Sequence, residues 1–244
     1  MIDWLRDDHQ NPAIEVGGQT LPIAIRRHAR AKRLTMRLSP DGSEVRITLP
    51  TWGRTLDALA FAKARGEWIA AQLDKVPGRL AIADGERIAY RGASVRLAWD
   101  RDAGRKPWVD GEIVRIGGAL EGLEGRVRRW LEAEAHRLCA DDLAFYCERA
   151  GLPSPQLRLS RAQRRWGSCS GDNRSGRCIR INWRLVMAPD EVRRSVVAHE
   201  VAHLVHFDHS PAFHALLGDL FEGRLDKADS WLKREGRSLY AAFG

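Results

Sequence analysis

The chain has 244 residues, 44% hydrophobic and 30% charged, an ordinary balance for one or two folded domains. No apolar run is long enough to span a bilayer, and the opening MIDWLRDDHQ has no basic or apolar leader pattern, so no secretory signal is expected. Four irregularly spaced cysteines (Cys139, Cys147, Cys169, Cys178), with no CxxC pair, exclude a disulfide framework and fit reduced thiols in a cytoplasm.

The net charge of +8 is unevenly spread. Residues 26–37 carry six basic side chains and no acid, and residues 158–184 carry eight arginines against one acid, Asp172. Such segments form either solvated basic faces or patches for an anionic partner, nucleic acid included.

In chain order, TLPIAIRRH, RLTMRLS and EVRITLP read as strands, with SPDGSE as a turn. RTLDALAFAKARGEWIAAQLDKV has apolar residues at helical spacing and stops at Pro77-Gly78. Strands return in ERIAYRG, SVRLAWD and EIVRIGG, and a long amphipathic helix is expected over about 120–150, closed by Gly151 and Pro153. QLRLS and CIRIN read as strands around the turn-rich RRWGSCSGDNRSG. A helix starting near Pro189 should run to about Phe207, followed by helices in PAFHALLGDLF and KADSWLKREG. No internal repeat is visible. The fold class expected is α+β: a β-rich N-terminal region with one helix, 1–118, and a helical C-terminal domain, 119–244, divided near Gly117-Gly118.

The chemistry concentrates in SVVAHEVAHLVHFDHSPAFH. His199 and His203 are four residues apart, hence only about 40° apart around a helix, and can bind one cation from one face. Neutral imidazoles suit zinc, and a site with three protein ligands keeps an open position for water. Glu200 lies beside the first histidine, where a carboxylate can take that water's proton. The surrounding residues make the helix apolar nearly all round, so its polar groups need compensation, which a metal supplies. Chain reversal after Phe207-Asp208 would return His209 as third ligand; Asp219 or Glu222 could instead offer a carboxylate. His206 and His214 are expected elsewhere, on the surface or on another helix face.

RRWGSCS, INWRLVMAPDEVRRSVVAHEVAHL and DHSPAFHALL resemble the YgjP-like proteins, predicted metal-dependent hydrolases of zincin type related to SprT-like and WLM-domain metalloproteases. The segments RRHARAKRLTMRLSPDGSEVRITLP and ADGERIAYRGASVRLAWD resemble that family's N-terminal β segments. The resemblance implies a zincin-like catalytic domain with His199, His203 and His209 as zinc ligands and Glu200 as general base. His214 and the insertion-like GDNRSGRC depart from the family pattern.

In zincins an edge strand beside the active-site helix pairs with an extended substrate; CIRIN or the segment around Trp166 is the candidate here. Trp166 and Trp183 are expected mainly as packing residues, and Asn182 either orients a histidine or ends a strand. Three functions stay open. The first is a metallopeptidase-type zinc hydrolase. The second, also implied by the resemblance, is a nucleoside triphosphate (UTP) pyrophosphatase using Arg165 and Arg180 for phosphate. The third is a non-catalytic, metal-stabilised module associated with nucleic acid.

Overall fold

A computed structural model describes residues 12–172 and 176–243. The opening MIDWLRDDHQ and the centre of GDNRSGRC lie outside the described residues. The described chain is mixed α+β, with three small sheets and six α-helices, and divides into two compact units, 1–78 and 79–243. None of these helices is long and apolar enough to cross a membrane.

The first unit contains β1 (Ala13–Val16), β2 (Gln19–Arg27), β3 (Thr35–Leu38) and β4 (Val45–Leu49), ordered β1-β2-β4-β3. Outer pairs are antiparallel and β2 runs parallel to β4. The single helix expected after Pro50 is two, α1 (Thr55–Lys63) and α2 (Gly66–Leu73), broken at Ala64-Arg65. Ala58, Ala62 and Ile69 from these helices close over Leu21, Ile23, Val45, Ile47 and Leu49 in a separate core.

The second unit opens with β5 (Arg87–Tyr90), β6 (Ala93–Asp100), β7 (Trp108–Asp110) and β8 (Ile113–Gly117), ordered β5-β6-β8-β7. Its pairing senses match those of the first sheet. The first hairpin of each sheet turns on two left-handed residues, Gly17-Gly18 and Arg91-Gly92, as two-residue hairpins demand. A topological repeat therefore exists where the sequence shows no periodicity.

This sheet belongs with the helices that follow it. Ile88, Val95, Leu97, Val114 and Ile116 share one core with Leu123, Val127 and Leu131. The boundary thus lies at Gly78-Arg79 and not at Gly117-Gly118. Those two glycines serve a close backbone approach: a Cβ on Gly117 would sit 1.9 Å from the Ala103 carbonyl oxygen, and Gly118 has φ +91°.

The long helix α3 (Leu123–Arg149) buries a stripe from Leu123 to Cys147 at intervals of three and four residues. It ends in a Schellman motif: Leu152 N–H donates to Cys147 O at 2.9 Å and Gly151 N–H to Glu148 O at 3.0 Å, with Gly151 at φ +66°. Then come β9 (Gln156–Ser160), β10 (Gly167–Asp172) and β11 (Gly176–Asn182), ordered β10-β11-β9. CIRIN is therefore the central strand, and WGSC, expected as turn, begins an edge strand. Last come α4 (Asp190–Ala202), α5 (Pro211–Leu220) and α6 (Leu225–Glu235).

A charged network ties α4 to its neighbours. Arg193 pairs with Asp142 of α3 at 2.8 Å, their side chains 3% and 4% exposed, and also with Asp190. Arg194 bonds Asp142 at 3.1 Å and Glu222 at 2.7 Å, and Tyr146 Oη donates to Glu222 at 2.8 Å. Arg91 in the β5–β6 turn reaches Asp190 at 3.0 Å.

Candidate metal centre

Helix α4 starts after Pro189, carries Asp190 and Glu191 in its first turn and buries Val192, Val196, Val197, Ala198, Val201 and Ala202. It stops five residues before the expected Phe207, at Ala202, with His203 as C-cap. Leu204 N–H turns to Val201 O at 2.9 Å, and the His203 Nδ1 lies 2.9 Å from the His206 carbonyl oxygen. The chain then reverses into α5, where the Ser210 hydroxyl accepts from Phe213 N–H at 3.4 Å.

That reversal returns His209 to the helix. Its Nε2 lies 3.2 Å from the His199 Nε2, which lies 3.1 Å from the His203 Nε2. A carbonyl can only accept, so His203 Nδ1 carries the proton and its Nε2 presents a lone pair. Burial, with His203 and His209 alongside, pushes the His199 pKa down to about 4, so that ring is neutral at neutral pH. Converging imidazole lone pairs repel unless a cation lies between them. Tetrahedral nitrogen ligands about 2.05 Å from a zinc ion stand about 3.3 Å apart, so the observed spacings fit such an ion. Among the described residues, these three histidines are the His/Cys/Asp/Glu group able to hold a metal.

Phe213, wholly buried, supports the triad from beneath. Its ring centroid lies 4.9, 4.5 and 4.9 Å from those of His199, His203 and His209. Sequence reasoning missed this residue, although the helix-start signal in HSPAF placed it one turn inside α5.

Glu200 is 5% exposed, and its Oε2 has no hydrogen-bond partner among the described residues. Burial pushes its pKa up to about 7, against the opposing pull of the Arg165 charge and the Cys169 backbone N–H. The carboxylate lies against β10, and a Cβ on Gly167 would stand 2.3 Å from Oε1. That glycine is a second residue the sequence reading passed over. Side-chain alternation puts Gly167 and Cys169 on the face with Ile179 and Ile181, under the helix.

The two expected phosphate-binding arginines are not brought together. Arg165 is exposed and close enough for its charge to reach Glu200. Arg180 aligns with Ser168 and Arg158 on the sheet face away from Glu200, and donates to Ser170 Oγ at 2.7 Å. Glu222 is engaged by Arg194 and Tyr146, and neither it nor Asp219 joins the histidine group. Asn182 ends its strand, accepting from Arg184 N–H at 3.1 Å and donating to Ala162 O at 2.8 Å. Trp183 is buried against Phe243, whereas Trp166 borders an open cavity.

That cavity, about 570 Å³, runs past Gly167, His199 and Glu200 and is closed by His214 and residues of α5 and α6. His214 thus stands beside the triad, its ring 6.4 Å from that of His209, without joining it.

No curated protein and no solved structure matches the chain. A family model described as YgjP-like, metallopeptidase domain, matches residues 32–235, a span that includes β10, the three histidines and α6. The name is that of a metal-dependent hydrolase, and the donor set found here suits one. By that match over most of its length, the chain belongs to the YgjP-like family of metallopeptidase domains.

Proposed function

We propose that the protein is a zinc-dependent, metallopeptidase-type hydrolase with a zincin-like catalytic domain, in which His199, His203 and His209 hold the metal and Glu200 is the general base. The observation that carries this reading is the convergence of the Nε2 atoms, 3.1 and 3.2 Å apart, beside a buried carboxyl with one unpartnered oxygen. Zinc in such a site supplies the Lewis acidity that polarises a carbonyl and acidifies water.

The protein's own groups do the rest. Glu200 would take the proton of the attacking water as the new C–O bond forms and then deliver it to the amide nitrogen, which leaves as the amine when the C–N bond breaks. The His203–His206 hydrogen bond keeps one ligand in the required tautomer. The free edge of β10 offers main-chain donors and acceptors to an extended peptide, a use that a nucleotide does not have. The four cysteines are unbonded, which suits a reducing, cytoplasmic compartment.

Arg165 favours the second reading, a nucleoside triphosphate pyrophosphatase, because its charge is felt at Glu200. Arg180 does not join it, and no lysine or arginine lines the cavity. The arginines on the outer sheet face, Arg158 and Arg180, are better disposed for nucleic acid than for a nucleotide at the histidines.

The purified, zinc-loaded protein should cleave unfolded protein or peptide substrates, lose that activity to a chelator and regain it with added zinc. Hydrolysis of nucleoside triphosphates in place of peptides would reverse the order of the two readings. Chelator-insensitive activity would remove the metal mechanism altogether. Gly167→Ala should lower turnover about 10²-fold, since its Cβ displaces the Glu200 carboxylate. Zinc content measured alongside should stay at the wild-type level, because Gly167 supplies no ligand.

A further inference from the structure

The cavity beside Glu200 is lined by apolar side chains and by carboxylates. Trp166, Val196, Leu217 and Leu232 provide the apolar side chains, and Asp226 and Asp229 contribute from the first turns of α6. Three residues apart on a helix, the two aspartates share one face. With Glu200 they make three carboxylates in the lining, and among the described residues no lysine or arginine lines it, although the chain has 40 basic against 32 acidic residues.

Asp226 pairs with Arg224 at 2.6 Å and Asp229 with Lys233 at 2.5 Å, all four side chains well exposed. Exposed pairs of this kind are weak and readily exchange one cation for another. Glu200 lies on the same cavity, 5% exposed and with an Oε2 that has no partner among the described residues. An anionic substrate would meet three carboxylates here. A lysine or arginine side chain would find apolar side chains for its methylenes, the Trp166 indole and carboxylates in one lining.

We propose that this cavity is a specificity pocket for a basic side chain of a peptide substrate, with Asp226 and Asp229 receiving the charge and Trp166, Val196 and Leu217 holding the stem. This deepens the metallopeptidase reading and rests on it. Hydrolysis occurs at the bond that places the basic residue in the pocket and its carbonyl or amide at the histidine triad.

The test uses the zinc-loaded full chain and quenched peptides that differ at one residue beside the scissile bond: Lys, Arg, norleucine, Leu or Glu. The Lys and Arg peptides should be cleaved about tenfold or more faster in kcat/KM than the norleucine peptide, with the Glu peptide slowest. In an Asp226→Asn/Asp229→Asn variant that preference should fall to within about twofold. Calorimetry without turnover supplies the second measurement: acetyl-arginine amide should bind wild type, more weakly at high salt, and bind the variant about tenfold more weakly. Cleavage of norleucine and basic peptides at equal rates, or a preference that survives in the variant, overturns the pocket assignment and leaves the metallopeptidase reading standing. Failure to cleave any peptide, with nucleotides hydrolysed instead, overturns both.

Discussion

Replacing Asp142 by alanine is expected to cost about 3–5 kcal/mol of stability, because it strands a buried guanidinium. Arg193 is 3% exposed and donates to Asp142 of the long helix α3 at 2.8 Å, and the same carboxylate also accepts from Arg194 at 3.1 Å. Asp190 would remain as a partner of Arg193, but it is half-exposed and already shared with Arg91. For a unit of this size the loss corresponds to a fall in Tm of roughly 10 °C. Thermal unfolding of the metal-free protein isolates the effect from any change in zinc affinity. Asp142→Leu combined with Arg193→Met should recover most of the loss, since paired burial of two charges costs much of what their attraction returns. A fall below about 1 kcal/mol for the single variant would mean that Arg193 finds compensation elsewhere. The network fastens the helix bearing His199 and Glu200 to α3, so the same variant should lower activity in proportion to unfolded protein, with kcat per folded molecule preserved.

The second large effect concerns Glu200. Glu200→Gln is expected to lower kcat about 10²–10⁴-fold, the usual worth of a positioned general base, while zinc binding persists. The amide is nearly isosteric with the carboxylate, so it can occupy the space left by Gly167 without displacing β10. Metal content by elemental analysis should remain at one zinc per chain, and KM should change much less than kcat. By contrast, His203→Ala should lose the metal itself. If Glu200→Gln retained wild-type turnover, proton transfer would have to be reassigned. His214 lines the same cavity, its ring 6.4 Å from that of His209.

Much of the site was legible because its chemistry is local. The i, i+4 spacing of His199 and His203 on an apolar helix needs no tertiary information. His209 needed only a short chain reversal, signalled by Ser210-Pro211 at the start of α5. Less local features were misread. The GSCSGD stretch has the composition of a turn, yet pairing with CIRIN makes it an edge strand from Gly167 to Asp172. Tertiary pairing overrides the weak strand preference of glycine and serine. Gly117-Gly118 looked like a linker, but it marks a close approach of backbone to Ala103. Arg180 looked like a partner of Arg165, and the twofold alternation of β11 turns it to the opposite sheet face.

By itself, the sequence determined most of the helices and strands and which helix carries His199 and Glu200. These depend on periodicities of two and 3.6 residues and on capping residues close in the chain. Only the tertiary structure decided that the second sheet shares a core with the helices that follow it, that β10 lies at the sheet's edge beside Glu200, and that Phe213 underlies all three imidazoles. It also decided the charge of the cavity. An arginine count along the chain registers how many cations a segment carries, but burial and side-chain direction decide which of them face the histidines. Here the charged residues that line the cavity with Glu200 are Asp226 and Asp229 of α6.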